Sequence, residues 1–124
     1  MAIVDANVVL RYLLDDHPEL STKAAEILEQ HTVTLPIEVA CEVVYVLQKV
    51  YHIERHQIKR FLTELIDEKL IIIDKTDIFM KGLEYYSTTT LDWVDALLLA
   101  YQVVKQEEVF TFDDKLHKYI QRNI

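Results

Sequence analysis

The chain has 124 residues, a length that fits one domain with a core of its own. Its 13 Lys and Arg against 21 Asp and Glu leave a net charge of −8, the wrong sign for holding nucleic acid by bulk attraction, although divalent cations would reverse that sign locally. A hydrophobic share of 51% excludes a disordered chain, and the lone Cys41 excludes an internal disulfide. With no secretory leader pattern and no long apolar run, a soluble cytoplasmic protein is expected.

With one glycine (Gly82) and two prolines (Pro18 and Pro36), the chain has little material for flexible linkers. Ile3 and Val4 open a strand that stops at Asp5. Val8, Val9, Tyr12 and Leu13 then recur at helical spacing, and Ser21 to Gln30 suits a second helix built on Ala24, Ala25 and Leu28. Thr32 to Leu35 reads as a strand, and Pro36 fits the first turn of a helix reaching about Val50. A further helix spans about Glu54 to Asp67. Leu70 to Ile73 is a continuous apolar run of the kind found in strands covered on both faces. Helices are expected at about Asp77 to Tyr86 and Asp92 to Gln106, the latter apolar nearly all round, then a strand at Val109 to Phe112 and a last helix from Asp114. Strands alternating with long crossovers must run parallel. The expected fold class is therefore α/β, a short parallel sheet flanked by helices, with any ligand beyond the carboxyl ends of the strands.

Four acids fall at such places. Asp5 ends the first strand, with Asn7 two residues on; Glu42 lies two turns into the helix after the second strand; Asp95 stands near the start of the helix from Asp92; and Asp113 directly follows Val109–Phe112. Each also has a plainer explanation. Asp5 or Asn7 can cap the first helix, and Asp113 or Asp114 the last. Asp92 and Asp95 can form a shortened capping box, and Glu42 shares a polar stripe with Glu38, Tyr45 and Lys49. Asp95 is hardest to explain in this way, because an ionised carboxylate in an apolar helix needs a compensating partner. Four carboxylates gathered together would repel one another unless cations were present, and hard Mg²⁺ or Mn²⁺ suits oxygen ligands where zinc would want Cys or His.

In these four stretches the chain resembles the PIN-domain ribonucleases, and within them the VapC-type toxins of toxin–antitoxin pairs. IVDANVVLRYLLDDHPE resembles the first acidic motif, LPIEVACEVVYVL the segment of the second acid at Glu42, LDWVDALLLAY the third at Asp95, and VFTFDDKL a Thr-x-Asp motif with Thr111 and Asp113. The resemblance implies a single PIN-like domain over 1–124, a three-layer α/β/α arrangement with a four- to five-stranded parallel sheet. It also implies Mg²⁺- or Mn²⁺-dependent hydrolysis of RNA phosphodiesters to 5′-phosphate and 3′-hydroxyl ends. Asp5, Glu42, Asp95 and Asp113 would be the catalytic and metal-holding acids, Asn7 would hold a loop or ligand carboxylate, and Thr111 would orient its neighbour. Asp92 and Asp114 sit beside motif positions as possible substitutes. The same resemblance implies a homodimer and a cognate antitoxin, and a mean hydropathy of +0.06 is consistent with apolar faces covered by another chain.

RNA contacts are sought in two basic groups, one of Lys49, His52, Arg55, His56, Lys59 and Arg60, the other of Lys115, His117, Lys118 and Arg122; either can equally be a solvated face. Arg11 can reach a phosphate or pair with Asp15. The alternative function is a catalytically silent PIN-like module that binds RNA or a partner. A receiver domain using Asp74, or a phosphatase needing an acid where Asn7 stands, fits less well.

Overall fold

The computed structural model describes residues 1–123. By internal contacts the chain divides into two compact units, Met1–Asp74 and Lys75–Ile124.

The first unit holds the sheet. Strand β1 (Ala2–Ile3) leads into helix α1 (Ala6–Leu14) and helix α2 (Pro18–Gln30). Strand β2 (Val33–Leu35) is followed by α3 (Ile37–Lys49), α4 (Arg55–Asp67) and β3 (Ile72–Ile73). The strands run parallel in the order β1-β2-β3, with Ile3 opposite Thr34 and Leu35 opposite Ile73. Val33 and Leu35 point into the core, as do Val9, Leu10, Leu28, Val43, Val44, Leu47, Ile58 and Leu62 from the surrounding helices. Helix α2 starts earlier than the apolar spacing suggested, because His17 caps it: its Nδ1 accepts the Leu20 N–H at 3.1 Å, with Pro18 in the first turn. Pro36 supplies no cap to α3, and the Asp74 carboxylate after β3 accepts the Ile37 N–H at 3.1 Å instead. The end of one strand thus anchors the helix that follows its neighbour.

The second unit contains α5 (Thr76–Thr88), α6 (Trp93–Lys105) and α7 (Asp114–Arg122). Helices α5 and α6 pack through an aromatic group in which Phe79 and Tyr86 meet Trp93 edge-on, at ring-centroid distances of 5.3 and 5.6 Å. Gly82 permits this approach: a Cβ there would lie 3.1 Å from Leu97 Cδ1 and 3.3 Å from Trp93 Cη2.

The α/β class with parallel strands holds, and three details change. The sheet has three strands among the described residues rather than four or five, because Val109–Phe112 has no regular secondary structure and makes no strand pairing. Its alternation leaves Phe110 85% exposed and Phe112 fully exposed, so no buried face fixes a register. The run Leu70–Ile73 is strand only at its end, and Ile72 is 43% exposed, so its apolar sequence does not mean cover on both faces. Helix α6 buries Trp93, Ala96, Leu99 and Ala100 but leaves Val94 60% exposed, which makes it one-sided rather than buried all round.

Candidate functional site

In the first unit, a cleft of ≈ 350 Å³ is lined by Asp5, Asn7 and Arg11 from the α1 side and by Glu42, Val46, Val50 and Tyr51 from α3 and its end. Asp5 is the N-cap of α1, and its Oδ1 accepts the Val8 N–H at 3.2 Å. That bond uses one lone pair of a carboxylate with about four acceptor sites, so capping leaves the second oxygen available to a ligand. Glu42 stands on the exposed stripe of α3 with Glu38, Tyr45 and Lys49, as helical spacing requires, and of these four only Glu42 lines the cleft. Asn7 also lines the cleft, and its amide donates to no carboxylate among the described residues.

Arg11 does not pair with Asp15, which occupies the left-handed C-cap position of α1 at φ 47°. Its guanidinium meets Asp16 at 2.8 Å through Nη1 and donates to the Tyr51 hydroxyl at 3.0 Å through Nη2. The Tyr51 hydrogen bond, the largest effect, holds the Arg11 pKa above its ordinary value against burial, with the Asp16 charge adding a smaller upward push. Tyr51 was missed at the sequence level. A tyrosine just past the end of α3 carries no motif, and only the helix's actual end brings it to the cleft.

In the second unit, Asp95 lies in the first turn of α6. Its carboxyl pKa is raised, first by burial, then by the charges of Asp113 and Asp92, with Lys115 working in the opposite direction. Asp113 is the N-cap of α7 and accepts the Leu116 N–H at 2.8 Å. It follows an unpaired segment rather than a strand, and Thr111 fixes it: the Thr111 hydroxyl accepts the Asp113 N–H at 3.0 Å. Asp92 occupies the N-cap position of α6 but makes no side-chain cap, so the shortened capping box with Asp95 does not form. Asp114 is the first residue of α7 and exposed. Lys115, expected only as an RNA contact, also donates to the Thr90 carbonyl at 3.4 Å and is a cation near the Asp95 group. Lys49 is exposed at the end of α3, and Arg55 begins α4.

Within neither unit do three or more Asp, Glu, His or Cys side chains come together as a metal-holding group, among the described residues. What each unit offers is oxygen chemistry: Asp5 with Glu42 in one, and Asp95 with Asp113 and Asp92 in the other. Such donors suit Mg²⁺ or Mn²⁺ and not a thiolate-seeking ion.

The raised Asp95 pKa has a consequence for stability. Because the folded pKa exceeds the unfolded one, ionised Asp95 opposes folding above the raised value, and the penalty fades as pH falls toward the ordinary carboxyl range near ~3.9. Asp95→Asn is therefore expected to stabilise the metal-free protein at pH 7 and to lose that advantage at pH 4. Solvent screening keeps the gain below about 1 kcal/mol. Urea midpoints at both pH values test this, and a variant less stable than the parent at pH 7 contradicts it.

A family model described as PIN domain matches residues 2–120, nearly the whole chain and both units. No curated protein and no solved structure gave a significant match. PIN domains are generally nucleases and typically use divalent metals.

Proposed function

Because the chain belongs to the PIN domain family, we propose that it is a Mg²⁺- or Mn²⁺-dependent endoribonuclease, the toxin component of a VapC-type toxin–antitoxin pair. The family match spans both compact units, which supports reading residues 1–124 as one PIN-like domain. The observation that carries the reading is the cleft shared by Asp5 and Glu42, two carboxylates distant in sequence that line one opening. Asp95 and Asp113 add a second pair, whose mutual repulsion a cation would relieve. In this reading Asp5 and Glu42 of the first unit and Asp95 and Asp113 of the second are the metal-holding acids. A divalent cation held by these acids would supply acidification of a water and neutralisation of charge on the phosphate.

The protein's own groups do the rest. The caps at Asp5 and Asp113 fix each carboxylate to a helix N-terminus, where the aligned backbone dipoles favour negative charge. Thr111 holds the backbone at Asp113, and Asn7 on the wall of the first cleft has an amide to offer a ligand. Arg11, Lys49, Arg55 and Lys115 are the proposed contacts to the RNA backbone, which an acidic protein must supply locally. A homodimer, a cognate antitoxin and a cytoplasmic location belong to the same proposal. No helix among the described residues is long and apolar enough to cross a membrane.

The test is cleavage of mixed single-stranded RNAs by purified protein. Chelation by EDTA is expected to stop it, and added Mg²⁺ or Mn²⁺ to restore it. Cleavage that continues in chelator overturns the metal-dependent reading; RNA binding without cleavage under any divalent ion favours the silent module.

A further inference from the structure

The Arg11–Tyr51 pair joins the α1 and α3 sides of the Asp5–Glu42 cleft in an arrangement that neither capping nor core packing accounts for. Both residues have fixed backbones. The Arg11 carbonyl accepts from Asp15 N at 3.1 Å and from the hydroxyl of buried Ser21 at 2.8 Å. Tyr51 N donates to the Val46 carbonyl at 3.3 Å and Ile53 N to that of Leu47 at 2.9 Å, while His52 between them takes a left-handed φ of 55°. That turn wraps the chain back over the end of α3 and leaves Tyr51 on the cleft wall.

The donor count is informative. Arg11 has five N–H donors: one is spent on Asp16 and one on Tyr51, and Nε–H is buried with no acceptor among the described residues. Because the Tyr51 oxygen accepts from Arg11, its own O–H points elsewhere and has no acceptor among the described residues. A cation donating to a hydroxyl polarises that O–H and makes it a stronger donor. The cleft lined by Asp5 and Glu42 thus also carries a fixed positive charge with unspent donors, the complement of an anionic oxygen.

We propose that Arg11 and Tyr51 form a phosphate grip at the rim of the Asp5–Glu42 cleft: Arg11 supplies charge and Tyr51, besides positioning Arg11, donates its hydroxyl to a non-bridging oxygen of a single-stranded RNA. The proposal rests on the nuclease reading and adds a recognition role for Tyr51. Asp16 holds the guanidinium from its other side, so that Arg11 stays on the wall and does not collapse onto Asp5 or Glu42.

The experiment is a double-mutant cycle on binding of a fluorescein-labelled eight-residue oligouridylate, followed by anisotropy in EDTA, where no cleavage occurs. Tyr51→Phe is expected to weaken binding about tenfold, as for a hydrogen bond to a charged group, with the salt dependence unchanged. Arg11→Ala is expected to weaken it further and to lower the slope of log K against log salt by about 0.7, the value for one phosphate contact on a single strand. In the Arg11→Ala background, Tyr51→Phe is expected to cost less than twofold. Should Arg11→Ala fail to fold, Arg11→Lys with Tyr51→Phe serves the same cycle, because the ammonium keeps charge but loses the fork. Losses that simply multiply, a silent Tyr51→Phe, or no binding by the parent protein overturn the proposal. Parallel cleavage assays with Mg²⁺ separate the two claims: a protein that shows the cycle but never cuts RNA refutes the nuclease reading and leaves the grip standing.

Discussion

Asp5→Asn is expected to abolish divalent-dependent RNA cleavage, lowering the rate by roughly a hundredfold or more, the scale lost when one charge-stabilising group is removed from a reacting centre. The folded protein is expected to stay within about 0.5 kcal/mol of the parent, because asparagine caps a helix about as well as aspartate. This separation matters because Asp5 demonstrably caps α1. Asp5→Ala would confound the two roles, costing about 1 kcal/mol of cap as well as the carboxylate. Asp113→Asn at the cap of α7 gives the same separation in the other unit. Thermal melts beside single-turnover cleavage of a labelled RNA check both. A variant that keeps its melting temperature and cuts at the parental rate removes Asp5 from the chemistry.

Phe79→Ala is expected to destabilise the second unit by about 3–5 kcal/mol, a large share of what holds a domain of this size together. Phe79 is fully buried, and its ring meets Trp93 edge-on at 5.3 Å, so truncation removes transfer energy, leaves a cavity and loses an aromatic pair. Neighbouring Tyr86 and Leu83 are fixed on the same helix and can close only part of the gap. Trp93 is the chain's one tryptophan, so its fluorescence during urea unfolding reports on this cluster directly. Phe79→Leu, which retains most of the volume, is expected to lose distinctly less. A shift below about 1 kcal/mol for Phe79→Ala would mean that the aromatic group is not the core of this unit. Gly82 belongs to the same contact: its missing side chain admits Trp93 and Leu97.

The helices were legible because their apolar residues recur at helical spacing, and that signal is local. The acids were legible as residues too, each beside a helix start or on a polar stripe. Their two explanations could not be separated at that level, and at Asp5 and Asp113 the cap proves to be real while leaving a carboxylate oxygen to spare. The segment Val109–Phe112 misled for an equally physical reason. Alternating apolar residues give a stretch the capacity to pair, but a strand exists only where a neighbour accepts its backbone, and here Phe110 and Phe112 face solvent.

By itself, the sequence determined the α/β class, the placing of most helices and the identity of the four candidate acids, since periodicity and short motifs are carried by residues near one another in the chain. Only the tertiary structure decided that Asp74 caps α3, that Arg11 turns to Asp16 and Tyr51 rather than Asp15, and that Asp5 and Glu42 share a cleft. Those are encounters between distant stretches, and their energies depend on backbone positions that no local pattern encodes.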